Sequence, residues 1–245
     1  MKDQLLDIVK IVSVLPFTIV KVSGSDGDAI IQSRLDEEAV ILSGKITKKT
    51  PEFDGVFGLS NIAMLSGLTN VEAFRDKDAN VKIKYQERNG VKLPEEISFE
   101  KDGFGKASYR LTGEKAIPPQ MKPTGQIVYD VVIEQPSKRK IGEFAQLAGI
   151  YSSQETKFTV KTDNGQLKFL IGDEGAATHK AQIVFAEGVK GTIKANHTWN
   201  INSVLNVLKL GSNSTMVLSI SSQGILQIEV DTGLGVYNFM FAGSN

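Results

Sequence analysis

Four segments of helical period interrupt an otherwise strand-like chain, and they fall at corresponding places in its two halves. In residues 3–15 the apolar side chains Leu5, Leu6, Ile8, Val9, Val12 and Leu15 recur at helical spacing. A shorter stretch from Phe57 to Leu68 carries Leu59, Ile62, Ala63, Leu65 and Leu68. Residues 137–151 open on Ser137, a good N-cap, and present Ile141, Phe144, Leu147, Ala148 and Tyr151. Residues 201–210 present Ile201, Val204, Leu205, Leu208 and Leu210, with Gly211 where a helix C-cap glycine belongs. The first and third segments start about 135 residues apart, and the second and fourth about 144. Two similar halves explain this better than one irregular domain.

Between the helical segments the period is two. KFTVKTDNGQLKFLIG predicts a hairpin, with Phe158 and Val160 before Asp163-Asn164-Gly165 and Leu167, Phe169 and Ile171 after it. PFTIVKVSGSDGDAIIQSRL and STMVLSISSQGILQIEVDTGLGVYNFMFAG repeat the plan. KAIPPQMKPTGQ, residues 115–126, holds Pro118, Pro119, Pro123 and Gly125, and prolines withhold the donors a sheet needs. The expectation is an α+β protein with an N-terminal domain at 1–114, a connector at 115–126 and a C-terminal domain at 127–245.

Twenty-eight basic and 28 acidic residues cancel, so net charge names no partner, and a nucleic-acid binder would have to segregate its charge by face. The absence of cysteine excludes a disulfide scaffold, a thiol nucleophile and a Cys-based metal site. Asp7 and Lys10 interrupt the apolar run near the N-terminus, and no stretch reaches the roughly 18 apolar residues of a membrane span. The expected compartment is the cytoplasm. His179 and His197 sit on expected strands with no acidic or second-histidine neighbour at metal spacing. Asp26 and Asp28 belong to a turn, since no glutamate completes a calcium loop. The Gly-x-Gly pairs in DGFGKA and TGLGVY lack the third glycine and the following helix. No nucleophile elbow, P-loop or zinc-protease motif occurs, so no enzymatic activity, cofactor or metal is expected.

Three stretches carry a resemblance to a known family. EFDGVFGLSNIAMLSGLTNVEAFRDKDANVKIKY, residues 52–85, resembles the second helix and following hairpin of the DNA sliding clamps of tailed phages. KRKIGEFAQLAGIYSSQETKFTVKTDNGQLKFLI, residues 138–171, resembles the start of a clamp's second domain, and ILQIEVDTGLGVYNFMFAG, residues 225–243, the closing hairpin of archaeal and eukaryotic clamps. The resemblance covers nearly the whole chain in element order and little of it in identity. It implies two topologically similar clamp domains, each a curved antiparallel sheet with two helices on its inner face. It further implies a homotrimeric ring around double-stranded DNA that tethers a replicative polymerase, in the host cytoplasm if a phage encodes it.

On that resemblance the helices would face DNA through Lys2, Lys10, Lys138, Arg139, Lys140 and Lys209, against the acidic Asp3, Asp7 and Glu143. Phosphate contacts supply attraction that ignores sequence, which a sliding ring needs. The C-terminal peptide of the polymerase, and the clamp loader, would dock beneath the connector on Val40, Leu42, Ile117, Met121, Phe241 and Ala242. The subunit interface would pair Lys106–Thr112 with His179–Ala186 of a neighbour and involve Tyr109, Leu111, Ile183 and Phe185. A β-rich structural or assembly protein of a virion is the rival reading. It explains the short strands and leaves the paired helices unexplained.

Overall fold

The computed structural model of the protein describes residues 1–37, 39–119, 126–172 and 179–244. It is α+β, built on antiparallel strand pairs. The chain forms two compact units. Met1–Leu35, Ile41–Lys122 and Thr232–Tyr237 make the first, and Asp36–Val40, Pro123–Asp231 and Asn238–Asn245 make the second.

The first unit runs α1 (Lys2–Val12), β1 (Ile19–Ser25), β2 (Asp28–Leu35), β3 (Val40–Ile46), β4 (Gly55–Ser60), α2 (Ile62–Asn70), the single turn α3 (Glu72–Arg75), β5 (Asn80–Arg88), β6 (Val91–Lys101), β7 (Gly105–Arg110) and the short β8 (Thr112–Gly113). Its strands order as β8-β4-β1-β2-β3 and as β5-β6-β7. The second unit runs β9 (Val131–Glu134), α4 (Lys138–Tyr151), β10 (Lys157–Asp163), β11 (Gln166–Ile171), β12 (Ala181–Glu187), β13 (Thr198–Asn200), α5 (Ile201–Leu208), β14 (Thr215–Ile220), β15 (Ile225–Asp231) and β16 (Gly235–Ala242), whose first three residues count with the first unit. Its strands order as β16-β15-β14-β9 and β12-β11-β10-β13.

Helix starts at 2 and 138, and at 62 and 201, give spacings of 136 and 139, a closer internal repeat than the sequence periods predicted. Each unit packs its two long helices together, α1 on α2 and α4 on α5. The helices that follow strands are capped by short polar side chains. Asn61 accepts from the Met64 amide at 3.2 Å, Ser137 from Lys140 at 3.5 Å and Asn200 from Ser203 at 3.0 Å. The predicted hairpin turn at Asn164-Gly165 is present, with both residues at positive φ.

Four expectations shift. Phe57 and Leu59 lie on β4 and not on a helix. Asn61, at φ 51°, turns the chain so that α2 starts at Ile62. The first helix ends at Val12, just before the loop that leads to Pro16. Gly211 caps nothing in the left-handed region; it belongs to a 3-10 turn, Lys209–Ser212, where an added Cβ would meet the Met216 Cε at 3.1 Å. His179 and His197 are off the strands.

Each unit has its own aromatic and aliphatic core. In the second, Phe144 of α4 meets Phe158 and Phe169 at ring centroid distances of 5.0 Å, and Phe169 stacks on Phe185 at 4.1 Å. In the first, Leu5, Ile8, Val9 and Val12 of α1 are buried, and so are Val20 and Val22 of β1 and Phe57 and Leu59 of β4. Within the first unit one charge ties α1 to residues 232–237. Asp7, nine-tenths buried, accepts from the Tyr237 and Thr232 hydroxyls at 2.8 Å each. Thr232 also receives the amides of Leu234 and Gly235 on its hydroxyl, which closes the turn. Burial, then the Asp7 charge and its hydrogen bond, push the Tyr237 phenol well above its ordinary value.

Tyr237→Phe takes one donor from a buried carboxylate. It should cost about 1.5–3 kcal/mol in urea unfolding. A cost below about 0.5 kcal/mol would mean that Asp7 is satisfied by water.

Candidate functional site

The six predicted cations fall into two groups. Lys2 and Lys10 stand at the two ends of α1, and Lys10 is exposed. The Lys2 ammonium donates to the Asp76 carbonyl, just ahead of β5. Lys138, Arg139 and Lys140 form the first turn of α4, where no acid offsets them. Three cations there oppose the helix dipole. Glu143 one turn on relieves this, pairing with Arg139 at 2.7 Å and Lys140 at 2.9 Å. Those hydrogen bonds, Lys140's first, hold its carboxyl below the usual range. Lys138 donates to the Ser212 carbonyl at 2.7 Å. Lys209 stands in the 3-10 turn after α5 and not on the helix itself, and it is exposed. Lys138 and Lys209 flank one shallow apolar groove, floored by Ile141, Gly142, Ala145 and Leu208.

The charge on the helical surface differs from the predicted one. Asp7 faces inward onto Thr232 and Tyr237, so it does not offset the exposed cations. Two further cations were missed. In Arg75-Asp76-Lys77-Asp78, which runs from the last residue of α3 toward β5, Lys101 takes both acids, Asp78 at 2.5 Å and Asp76 at 3.3 Å. The Lys101 hydrogen bond holds the Asp78 carboxyl below its ordinary value, while Arg75 and Lys77 stay exposed. The alternating signs of RDKD hid this, because only the fold shows that one sign is used internally.

The proposed peptide-binding residues divide sharply. Val40, Leu42 and Phe241 are 2% exposed or less, which makes them core residues with no surface to offer. Phe241 also lends its carbonyl to the buried Trp199 indole at 3.3 Å. Ile117 is half-buried and Ala242 exposed, while Met121 lies outside the described residues.

The two strands proposed as interface edges are terminal strands. β7 ends the sheet β5-β6-β7, and β12 ends the sheet β12-β11-β10-β13. Their predicted contact residues mostly face the other way. Tyr109, Leu111 and Phe185 are buried in their own units, and Ile183 is half-buried. Side chains alternate along a strand, so the residues free to meet a neighbour are their exposed companions Ser108 and Arg110 on β7 and Gln182 on β12. Among the described residues no group of acids and histidines could hold a metal ion. No helix there is long and apolar enough to cross a membrane.

No family model matches the sequence, and no curated protein matches it. Solved structures do match its fold. Proliferating cell nuclear antigen (PCNA) from Entamoeba histolytica superposes with a TM-score of 0.71 over 98% of this chain and 96% of its own, at 13% identity. The PCNA of A. fulgidus, solved with the C-terminal region of FEN-1 bound, gives 0.69 over 100% and 96%, at 9% identity. The PCNA2–PCNA3 complex from Sulfolobus tokodaii gives 0.67 over 99% and 96%, at 13% identity. The chain has the PCNA fold. The PCNA fold accounts for the paired helices and the repeated hairpins over essentially the whole length of the chain.

Tyr109 offers a test of how β7 is held. Its hydroxyl donates to the Ser60 carbonyl, and burial pushes the phenol up to about 12. A raised phenol stabilises the fold fully below the unfolded value near pH 10, and that contribution is lost as pH climbs toward 12. Tyr109→Phe should therefore cost about 1 kcal/mol at pH 7. By pH 11 the gap from wild type should close or reverse. Urea unfolding at both pH values reads this, and an unchanged gap would show that Tyr109 titrates normally.

Proposed function

We propose that the protein is a sliding clamp, a homotrimeric ring that encircles duplex DNA and tethers a replicative polymerase without catalysing a reaction. The observation that carries the reading is the PCNA fold over 98% of the chain. The resemblance of residues 52–85 to phage clamps favours a tailed-phage replication system, working in the host cytoplasm. The proposed domains are 1–114 and 127–245, joined by the connector 115–126.

In this reading each subunit turns α1, α2, α4 and α5 toward the DNA. Lys2, Lys10, Lys138, Arg139, Lys140 and Lys209 present positive charge to the phosphates, and we add Arg75 and Lys77. Long solvated side chains meeting phosphates give attraction without register, so the ring can move. With zero net charge on the chain, cations concentrated on the helices leave an excess of acids on the rest of it.

Ring closure uses the two terminal strands, β7 of one subunit pairing with β12 of the next in head-to-tail fashion. A C-terminal polymerase peptide and a clamp loader dock near the connector, where Ile117 and Ala242 have solvent access and Met121 is the further anchor.

Sedimentation should show a trimer that dissociates on dilution. Ile183→Lys should give a monomer if that side chain lies in the interface, with an unchanged far-UV spectrum, since a half-buried lysine can carry its charge out to water. A wild-type protein that stays monomeric at high concentration would count against the ring.

Product length from the cognate polymerase on primed circular DNA tests the function itself. Wild type, once loaded, should lengthen products. The variant with Lys10→Glu, Arg139→Glu and Lys209→Glu should lose most of that gain, most clearly at low salt. If wild type never lengthens products, the clamp reading fails. If the variant matches wild type, the cationic residues lie elsewhere.

A further inference from the structure

The internal repeat ties the start of α4 to the residues before β14 in the second unit as it ties the start of α1 to the residues before β5 in the first. The first residue of each helix makes the same contact. The Lys138 ammonium donates to the Ser212 carbonyl, three residues before β14, and the Lys2 ammonium donates to the Asp76 carbonyl, four residues before β5. β5 continues into β6 as β14 continues into β15. The two sites differ in one respect. β14 is covered on its far side by β9, which pairs Val131–Glu134 with Val217–Ile220. β5 ends its sheet, and among the described residues no strand lies along its far side.

The covered copy shows what the open one offers. Asp130 and Gln135 donate to the carbonyls of Ile220 and Met216 at 2.9 and 2.8 Å, and the Met216 amide reaches the Gln135 side chain at 3.0 Å. So the alternate β14 residues Met216, Leu218 and Ile220, all of them buried, turn their backbone groups toward β9. In β5 the corresponding inward residues are Val81, Ile83 and Tyr85. With the same strand direction, the same neighbour and the same core side, their N–H and C=O groups point outward. Among the described residues none of them makes a backbone hydrogen bond outside the ladder with β6.

The side chains along this edge select its occupant. Lys82 and Lys84 project from the exposed face. They take the places of Val217 and Ser219, which face Glu134 and Val132 of β9. Lys84 is shared with Glu96 at 2.8 Å, and Lys82 is exposed. Two copies of β5 pairing with each other would bring these lysines together, which disfavours a second copy of the chain. An incoming strand with acids at alternate positions meets both.

We propose that the free edge of β5, from Asn80 to Tyr85, takes an extended acidic segment of a partner protein as an added antiparallel strand. Its backbone bonds to Val81, Ile83 and Tyr85, and its alternate acids lie over Lys82 and Lys84. The inference rests on the internal repeat and stands apart from the clamp reading.

A suitable probe is a synthetic peptide copying residues 127–137 with Val132→Glu, beside a scrambled peptide of the same composition. Hydrogen exchange on the full-length protein should slow by about tenfold across residues 80–85 with the probe and not with the scrambled control. Lys82→Glu should weaken probe binding about fivefold. Val81→Pro removes one outward donor at an edge position that tolerates proline, and should weaken binding up to about tenfold. If Val81→Pro disturbs the fold, Lys82→Glu decides alone. No slowing at 80–85, or slowing confined to β14, β7 or β12, would overturn the proposal. Slowing at 80–85 that grows with protein concentration and needs no peptide would overturn it too, because a second copy then fills the edge.

Discussion

A single buried carboxylate organises the first unit. Asp7 sits on α1 and its two hydroxyl donors come from residues 232–237, so helix and strand are joined across more than 220 positions of sequence. A carboxylate in an apolar core is unfavourable unless its lone pairs are filled, so the Thr232 turn and the Tyr237 ring must both be in place. Around them the backbone has little slack. Thr47 donates to the Leu234 carbonyl at 3.0 Å, and a side chain on Gly44 would meet the Tyr237 ring at 2.5 Å. Gly44 therefore leaves room for the tyrosine, and the tyrosine exists to reach Asp7. Residues late in the chain thus count as part of the first unit, which cannot be complete until they arrive.

Acids elsewhere decide which cations remain available. Glu143 engages Arg139 and Lys140, and Asp76 and Asp78 engage Lys101. These exposed pairs contribute little to stability. Their effect is positional. They hold side chains in place and leave Lys10, Arg75, Lys77 and Lys209 exposed to solvent. A chain with no net charge can in this way still show a cationic surface on particular helices.

Much of the fold was legible in the sequence, because period and turn chemistry are local. The Ser137 cap, the stripe through Ile141, Phe144 and Ala148, and the Asn164-Gly165 turn needed no distant information. Misreadings arose where a local pattern had two solutions. Phe57 and Leu59 fit a helix as well as a strand, and only the left-handed Asn61 settles the matter. The candidate site was less legible. Asp7 resembles an exposed acid until Tyr237 is known to lie over it. Val40, Leu42 and Phe241 are apolar residues whose burial depends on partners far along the chain. Period-two alternation shows that Tyr109 and Ser108 lie on opposite faces, but not which face the core takes.

Besides β8, β9 and β13, three described strands end their sheets, β5, β7 and β12, and bare edges invite unwanted pairing. Each carries a different safeguard. β5 presents lysines at alternate positions. On β7, Arg110 is tied to Glu95 at 3.1 Å, and Lys106 lies 3.7 Å from Glu100. β12 departs from regular register opposite Leu167 and Lys168, which twists its end out of a flat template. Charge of one sign repels its own copy and still admits the opposite sign. A paired charge is nearly neutral, and a bulge limits how long a partner strand can run. The β7 and β12 edges are thus open to a short, specific pairing, whereas β5 repels its like. The three pairing edges thus differ in the chemistry of what they admit.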